Sequence, residues 1–173
     1  MTRLRNLTPS TLSREDFVST FADIYEHSPW VAEQTWDRYH GTPLDTLESL
    51  HAHMSKVLLG ARPEAQLALI NAHPDLAGKA AVQGRLTAAS TDEQAGAGIH
   101  LCTPAEFQRF TELNNAYKAK FHFPFIMAVK GSNRHQILAA FETRIHHDAE
   151  TEFAYALAEI NKIALFRLQA LSL

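Results

Sequence analysis

His73 is the residue whose position in the sequence best suits proton transfer, because it stands directly before Pro74 at the predicted end of a helix. Proline disfavours helical geometry in its predecessor, so the helix that starts at Pro63 must end by His73. A neutral imidazole can give or take a proton near neutral pH, and a carboxylate behind it fixes its tautomer and raises its basicity. The sequence therefore offers His73 as a general acid or base, with Glu93 as a candidate partner.

Both residues also have a structural interpretation. His73 could merely cap the preceding helix. Glu93 could close a capping box with Ser90, since Ser90-Thr91-Asp92-Glu93 has the required spacing. Spacing alone does not establish contact, and the residues by themselves favour these structural roles over catalysis.

A second candidate is the run Phe125-Ile126-Met127-Ala128-Val129, which follows Pro124. A proline inside an apolar run predicts a short extended piece between helices. Extended backbone has N–H and C=O groups that no helix uses, and these can bind the amide-rich edge of a ligand. The alternative is that the run simply lies in the core, which is the commoner fate of apolar residues.

Other kinds of site find little support. The chain has ten histidines, but neither His51 and His53 nor His146 and His147 share a helix face, and no His-Glu-x-x-His motif exists. Cys102 is the only cysteine and has no nucleophile motif around it. Glycine-rich phosphate loops are also missing. We therefore expect no metal site and no bound cofactor.

The elements that must position these residues are helices, because apolar side chains recur at spacings of three or four along almost the whole chain. Predicted helix starts lie at Ser13, Pro43, Pro63, Ser90 and Thr103, and two more helices carry the stripes from Ile137 to Ile145 and from Phe153 to Leu168. The prediction is an all-α, single-domain compact bundle of seven to nine helices over residues 1–173. Two irregular functional segments interrupt it, around residues 76–90 and 121–133.

Composition excludes several classes of partner. The 173 residues are 46% hydrophobic and 20% charged, which is typical of one globular domain. A formal charge of −3 and the lack of a lysine or arginine run argue against nucleic acid. Residues 1–10 have no apolar core of signal-peptide length, and no apolar run approaches the ~20 residues that a membrane span needs, so we expect neither a signal peptide nor a span. With a single cysteine, the sequence favours a cytoplasmic location.

Five ordered motifs give the chain a family resemblance over nearly its whole length. They are residues 26–31, 73–77, 90–94 with 97–98, 121–126 with 129–131, and 158–164 with 167–168. In these the chain resembles the decarboxylases of 2-oxo-4-hydroxy-4-carboxy-5-ureidoimidazoline (OHCU), which act in the conversion of urate to allantoin. Two positions depart from the family pattern: His122 replaces an expected glycine and His147 an expected asparagine.

The resemblance implies cofactor-independent decarboxylation of OHCU to (S)-allantoin, with His73 as proton donor or acceptor assisted by Glu93. Further substrate contacts are implied for Pro74, Ser90, Thr91, Asp92, Gln94, the backbone of Phe125, Ile126, Met127, Ala128 and Val129, and Arg167. The resemblance also implies that the protein forms a homodimer and that it binds a small-molecule substrate, OHCU. The competing interpretation is a non-catalytic helical binding or regulatory module, which predicts no turnover.

Overall fold

The computed structural model describes residues 1–78 and 86–172. Over these residues it contains eight α-helices, three short 3-10 helices and two isolated β-bridges, and no β-strand. The all-α prediction is therefore confirmed. The chain divides into two compact units, the first built from residues 1–72 and the chain from 160 onward, the second from residues 73–159. None of the described helices has the length and apolar character needed to cross a bilayer.

The first unit contains four helices from the N-terminal part of the chain. They are α1 (Arg14–Phe21), α2 (Trp30–Tyr39), α3 (Leu47–Leu59) and α4 (Pro63–Asn71). Ser13 caps α1 as predicted, with its hydroxyl accepting from the Asp16 N–H. Pro43, by contrast, does not open α3, because Thr46 is the N-cap and its hydroxyl accepts from the Ser49 N–H at 3.2 Å. Apolar stripes along α1, α2 and α3 bury Phe17, Val31, Leu50 and Met54.

The second unit contains α5 (Ala88–Gly96), α6 (Pro104–Phe121), α7 (Arg134–Arg144) and the part of α8 (Ala149–Gln169) up to Glu159. The predicted capping box at Thr103 is present, with Glu106 completing it. The predicted start of α5 at Ser90 is wrong. Thr87 is the N-cap and accepts from the Ser90 N–H at 3.2 Å, so the helix begins earlier.

The irregular segment after α6 is confirmed, because residues 122–133 contain no helix or strand. α6 ends at His122, whose φ of 63° lies in the left-handed region that glycine adopts most easily. This conformation gives a physical reason for the glycine expected at that position. Of the other predicted irregular segment, residues 76–78 and 86–87 are non-helical, residues 88–90 belong to α5, and residues 79–85 lie outside the described part of the chain.

An aromatic cluster forms much of the core of the second unit. Tyr117 of α6 lies edge-on to Phe125 at 5.4 Å and to Phe141 at 5.7 Å between ring centroids. Phe125 and Phe141 stack with centroids 3.9 Å apart. These contacts pack the start of the 125–129 segment against α6 and α7, so an extended piece of chain has a defined position.

Candidate functional site

His73 follows Ala72, the C-cap residue of α4, and so lies at the helix exit that the sequence predicted. The helix ends at Asn71, and the Ala72 N–H closes its last turn on the Ala68 carbonyl at 3.0 Å. His73 then leaves the helix and is only 9% exposed. A histidine in this position has little contact with bulk water, so neighbouring protein groups govern its tautomer and orientation.

The loop after His73 is held from two helices by side-chain amides. Gln94 of α5 accepts from the Ala77 N–H at 3.0 Å and donates to the Asp75 carbonyl at 3.3 Å. Asn114 of α6 donates to the Leu76 carbonyl at 2.9 Å. Both amides are at least 95% buried. Three consecutive residues of the loop therefore have backbone groups fixed by buried donors and acceptors, which limits the movement of the chain next to His73.

Two details make this loop conformation demanding. Ala77 has a φ of 53°, a left-handed conformation that costs a non-glycine residue of order 1–3 kcal/mol. A Cβ added to Gly78 would lie 2.6 Å from the Cβ of Asp75, so only glycine fits there without movement. The Asp75 carboxylate also pairs with Lys118 Nζ at 2.7 Å on the surface. The hydrogen bonds from the Gln94 and Asn114 side chains therefore hold the loop in a conformation that it would otherwise leave.

Helix α5 carries polar residues on its buried face. Ser90 is 4% and Gln94 is 5% exposed, Glu93 beside them is half-buried, and Thr91 and Asp92 are exposed. Since Thr87 is the N-cap, Glu93 lies well inside the helix and cannot close the capping box with Ser90 that the sequence suggested. The capping-box interpretation of Glu93 is therefore wrong. Of the five predicted site residues on α5, three lie on the buried side and two face solvent.

The 125–129 segment is the second predicted site element. Phe125, Ile126 and Val129 are buried, while Met127 and Ala128 are half-buried. The Ile126 carbonyl accepts from Arg144 Nη1 at 2.6 Å, and the Ala128 N–H donates to Glu159 Oε1 at 3.4 Å. Within residues 1–78 and 86–172, neither the N–H nor the C=O of Met127 has a hydrogen-bond partner. Met127 thus presents the unused backbone groups that the sequence predicted for this segment.

A buried ion-pair cluster supports the same segment. Glu152 is fully buried and lies 2.9 Å from Arg144 Nη2 and 2.9 Å from His147 Nδ1. Its carboxylate also accepts from the Tyr117 hydroxyl at 2.5 Å. Burial first, and then the hydrogen bond to Glu152, raise the pKa of Tyr117 well above its ordinary value. His147, one of the two departures from the family pattern, therefore contacts this buried charged cluster.

Arg167 belongs to the first unit, where it pairs with Glu26. Arg167 Nη2 is 2.8 Å from Glu26 Oε2, and the two side chains are 8% and 2% exposed. Arg167 Nη1 also donates to the Asp23 carbonyl at 3.2 Å, and Ser28 bonds the Glu26 carbonyl at 2.8 Å. Within the first unit, the acidic partner of Arg167 is therefore Glu26, which the sequence had not marked as a site residue.

A cavity of about 610 Å³ lies in the second unit on the Thr91 side of α5. Gln94 and Ala77 border it together with Cys102 and Phe107, whereas His73 and Glu93 are not among its described lining residues. Burial raises the pKa of the Cys102 thiol, with the charge of Glu106 as a lesser cause. In the described residues no group of three or more histidine, cysteine, aspartate or glutamate side chains is arranged to hold a metal ion.

Sequence reasoning missed four polar residues that hold the site elements. They are Glu26, Asn114, Arg144 and Glu152. Asn114 had a signal, because it lies on the same helical stripe as the buried Phe110, Leu113 and Tyr117, where a polar residue needs a buried partner. The two acid–base pairs carry no comparable local signal, since their partners lie on different elements.

Comparisons with known proteins agree with the family resemblance. The OHCU decarboxylase family model matches residues 10–169. The 2-oxo-4-hydroxy-4-carboxy-5-ureidoimidazoline decarboxylase of Halalkalicoccus jeotgali is 40% identical over 172 residues, covering 99% of this chain and 94% of that protein. The uric acid degradation bifunctional protein of a Bacillus species is 36% identical over 98% of this chain, which spans 32% of that protein. A crystal structure of (S)-allantoin synthase aligns with a TM-score of 0.76 and 32% identity, over 94% of this chain and 51% of that one.

Proposed function

The chain belongs to the OHCU decarboxylase family, and we propose that His73, assisted by Glu93, moves the proton in its reaction, the decarboxylation of OHCU to (S)-allantoin in urate degradation. The family match over residues 10–169 is the observation that carries the activity, and it includes every residue assigned a role below. The residue roles are supported by the buried helix exit at His73 and the loop fixed beside it.

The substrate supplies the electron sink that other decarboxylases obtain from a cofactor. The OHCU ring has a C=N unit next to the carbon that carries the carboxylate. When the C–C bond to the carboxylate breaks, its electron pair moves into this unit and CO2 leaves. Two protons then enter the ring, one at the nitrogen and one at the carbon of this unit, while the hydroxyl on the former carboxylate-bearing carbon loses its proton to become a carbonyl. The reaction therefore takes up one proton overall. The protein's part is therefore to bind, orient and move protons.

His73 takes the proton from that hydroxyl or returns one to the ring. Glu93 is the sequence neighbour of Gln94, whose amide fixes the loop just after His73. This connection ties α5 to the His73 loop and supports the pairing of the imidazole with the Glu93 carboxylate. Delivery of the proton from one face of the ring gives one enantiomer of allantoin.

The remaining site residues bind and orient the substrate. The Met127 N–H and C=O have the complementary donor and acceptor for ureido and ring amide groups, and fixed backbone groups reorganise little during reaction. We propose that further substrate contacts come from residues close to His73 or on α5, namely Pro74, Ser90, Thr91, Asp92 and Gln94. Arg167 stays as a further contact, oriented by its pair with Glu26.

The test is to generate OHCU from urate with the two preceding pathway activities and to follow optically active allantoin by circular dichroism. A general acid or base typically contributes ~10²–10⁴-fold, so His73→Asn should lose about that factor in turnover. Glu93→Gln keeps the size of the side chain and removes its charge, and it should also slow turnover. His146→Asn is the matched control, because His146 is an exposed histidine outside the site.

Three results would contradict parts of this proposal. Near-wild-type turnover in His73→Asn would remove His73 from the chemistry. Unchanged kinetics in Glu93→Gln would leave that carboxylate without a catalytic role. No acceleration by the wild-type protein would favour the alternative, a non-catalytic helical binding or regulatory module.

We also propose that the protein is a cytoplasmic homodimer, on the strength of the family resemblance and of the single, partly buried cysteine. Light scattering during gel filtration should give twice the mass of one chain. A particle with the mass of a single chain at micromolar concentration would contradict the dimer, and recovery in a membrane or exported fraction would contradict the location.

A further inference from the structure

A buried ion pair in the second unit has a cost that its contribution to stability does not explain. Arg144 of α7 and Glu152 of α8 have side chains 6% and 0% exposed, with Nη2 and Oε1 2.9 Å apart. Arg144 Nε is also 3.0 Å from the same carboxylate oxygen. Removing two charges from water costs several kcal/mol per ion, and apolar replacement of such pairs is often neutral or stabilising. The pair therefore requires a reason other than stability.

Arg144 contacts the 125–129 segment twice. Its Nη1 donates to the Ile126 carbonyl at 2.6 Å, and its guanidinium lies 4.3 Å from the centroid of the Phe125 ring. A helix or sheet would fix these residues through repeated backbone bonds, whereas an irregular segment depends on side chains for its conformation. One rigid, planar cation thus holds both a carbonyl and a ring of the same short stretch.

Glu152 is itself held from three directions. The Tyr117 hydroxyl donates to it at 2.5 Å, His147 Nδ1 lies at 2.9 Å, and Arg144 approaches from α7. A carboxylate with three partners on different elements has one orientation, and this orientation is transmitted to the guanidinium. The cluster therefore fixes where the Ile126 carbonyl points.

The residue after Ile126 is Met127, whose backbone groups have no partner among the described residues. The N–H of the next residue, Ala128, is bonded to Glu159. The peptide groups on both sides of Met127 are thus anchored to buried charged side chains. The geometry points to Arg144 as a positioning residue, which sets the direction of the Met127 N–H toward the ureido and ring amide groups of the substrate. This inference rests on the proposed function.

A purely structural role for Arg144 predicts an unchanged KM in any variant that still folds. A double variant that removes both charges of the pair distinguishes this role from positioning of the segment. Arg144→Met with Glu152→Gln removes both charges, while the glutamine still offers an acceptor to Tyr117 and a donor to His147. The variant should still fold and lose only the stability contributed by one buried hydrogen bond, because no charge is left buried alone. The Ile126 carbonyl nevertheless loses its donor, so the segment is free to turn.

The matched control is Arg134→Met with Glu106→Gln. This pair has the same residue types in the same unit, with Arg134 Nε 3.0 Å from Glu106 Oε2. In the part of the chain that the structure describes, its hydrogen bonds do not reach the 125–129 backbone. Glutamine at position 106 can still complete the Thr103 capping box. The Arg134 and Glu106 side chains are 26% and 17% exposed, so this control reports the effect of removing an arginine–glutamate pair from the unit, apart from the effect of its burial.

The measurements are thermal unfolding and progress curves for OHCU generated in situ. We expect KM to rise about tenfold in the Arg144 variant, with kcat within about twofold, because lost uniform binding raises KM alone. The control should keep wild-type KM. A stable Arg144 variant with wild-type KM would overturn the inference, as would an equal rise in the control.

If the double variant does not fold, Arg144→Lys decides. Lysine keeps the charge but cannot form the forked contact to Glu152 and reach the Ile126 carbonyl together, so KM should still rise. Wild-type KM in a folded Arg144→Lys protein would overturn the inference. Absence of turnover in the wild type would instead count against the proposed function, so the two failures are distinguishable.

Discussion

Asn114→Leu is the substitution that tests whether the loop after His73 is held as the structure indicates. The leucine is nearly the same size as asparagine but cannot donate a hydrogen bond. The Leu76 carbonyl therefore loses the 2.9 Å hydrogen bond that it accepts from Asn114 in the wild type. Asn114 is 4% and Leu76 is 7% exposed, so water cannot easily replace the lost donor. A buried carbonyl left without its partner costs about 1–3 kcal/mol.

The expected loss is therefore about 2 kcal/mol in the free energy of unfolding, or about 4–8 °C in Tm for a chain of this length. Asn115→Leu is the control, since the neighbouring Asn115 is exposed on the same helix and the change in helix propensity is the same. The difference between the two variants in urea unfolding then isolates the buried hydrogen bond.

The catalytic consequence is measured in the same pair. Leu76 follows shortly after His73, and a misplacement of about 1 Å near the reacting groups can cost ~10²-fold in rate. We expect kcat to fall by about tenfold or more in Asn114→Leu and to be unchanged in Asn115→Leu. Equal stability and equal kcat in the two variants would refute the reasoning. A stability loss with wild-type kcat would show that the bond stabilises the loop without orienting His73.

Two other predictions follow from the geometry of the second unit. Gly78→Ala should cost about 1–3 kcal/mol in urea unfolding and lower turnover, because its Cβ would lie 2.6 Å from the Asp75 Cβ. Gly41→Ala, with nothing within 4 Å, should leave both unchanged, and equal behaviour of the two variants would contradict the prediction. Since burial and, to a lesser degree, the charge of Glu106 raise the pKa of Cys102 above its ordinary value, less thiolate exists at a given pH. The pH midpoint for its alkylation by iodoacetamide should therefore be higher in the folded than in the urea-unfolded protein, and equal midpoints would contradict this.

The start of α5 shows how a local sequence signal can mislead. Ser90 and Glu93 match the capping-box spacing, but Thr87 lies three residues before Ser90 and can cap equally well. Thr87 and Ser90 are both suitable N-cap residues, and the local sequence does not indicate which of them caps α5. The longer helix buries the polar residues Ser90 and Gln94 on one face, where Gln94 reaches the loop backbone. Tertiary packing therefore selected the start.

The sequence by itself determined the helices and the position of His73 at a helix exit. Apolar spacing of three or four, N-caps such as Ser13 and Thr103, and a proline after His73 act within a few residues of the chain, so they can be read locally. Only the tertiary structure decided which polar groups meet. Asn114 with the Leu76 carbonyl and Glu26 with Arg167 join residues far apart in the sequence. Such partners depend on how folded elements pack, and no local pattern specifies them.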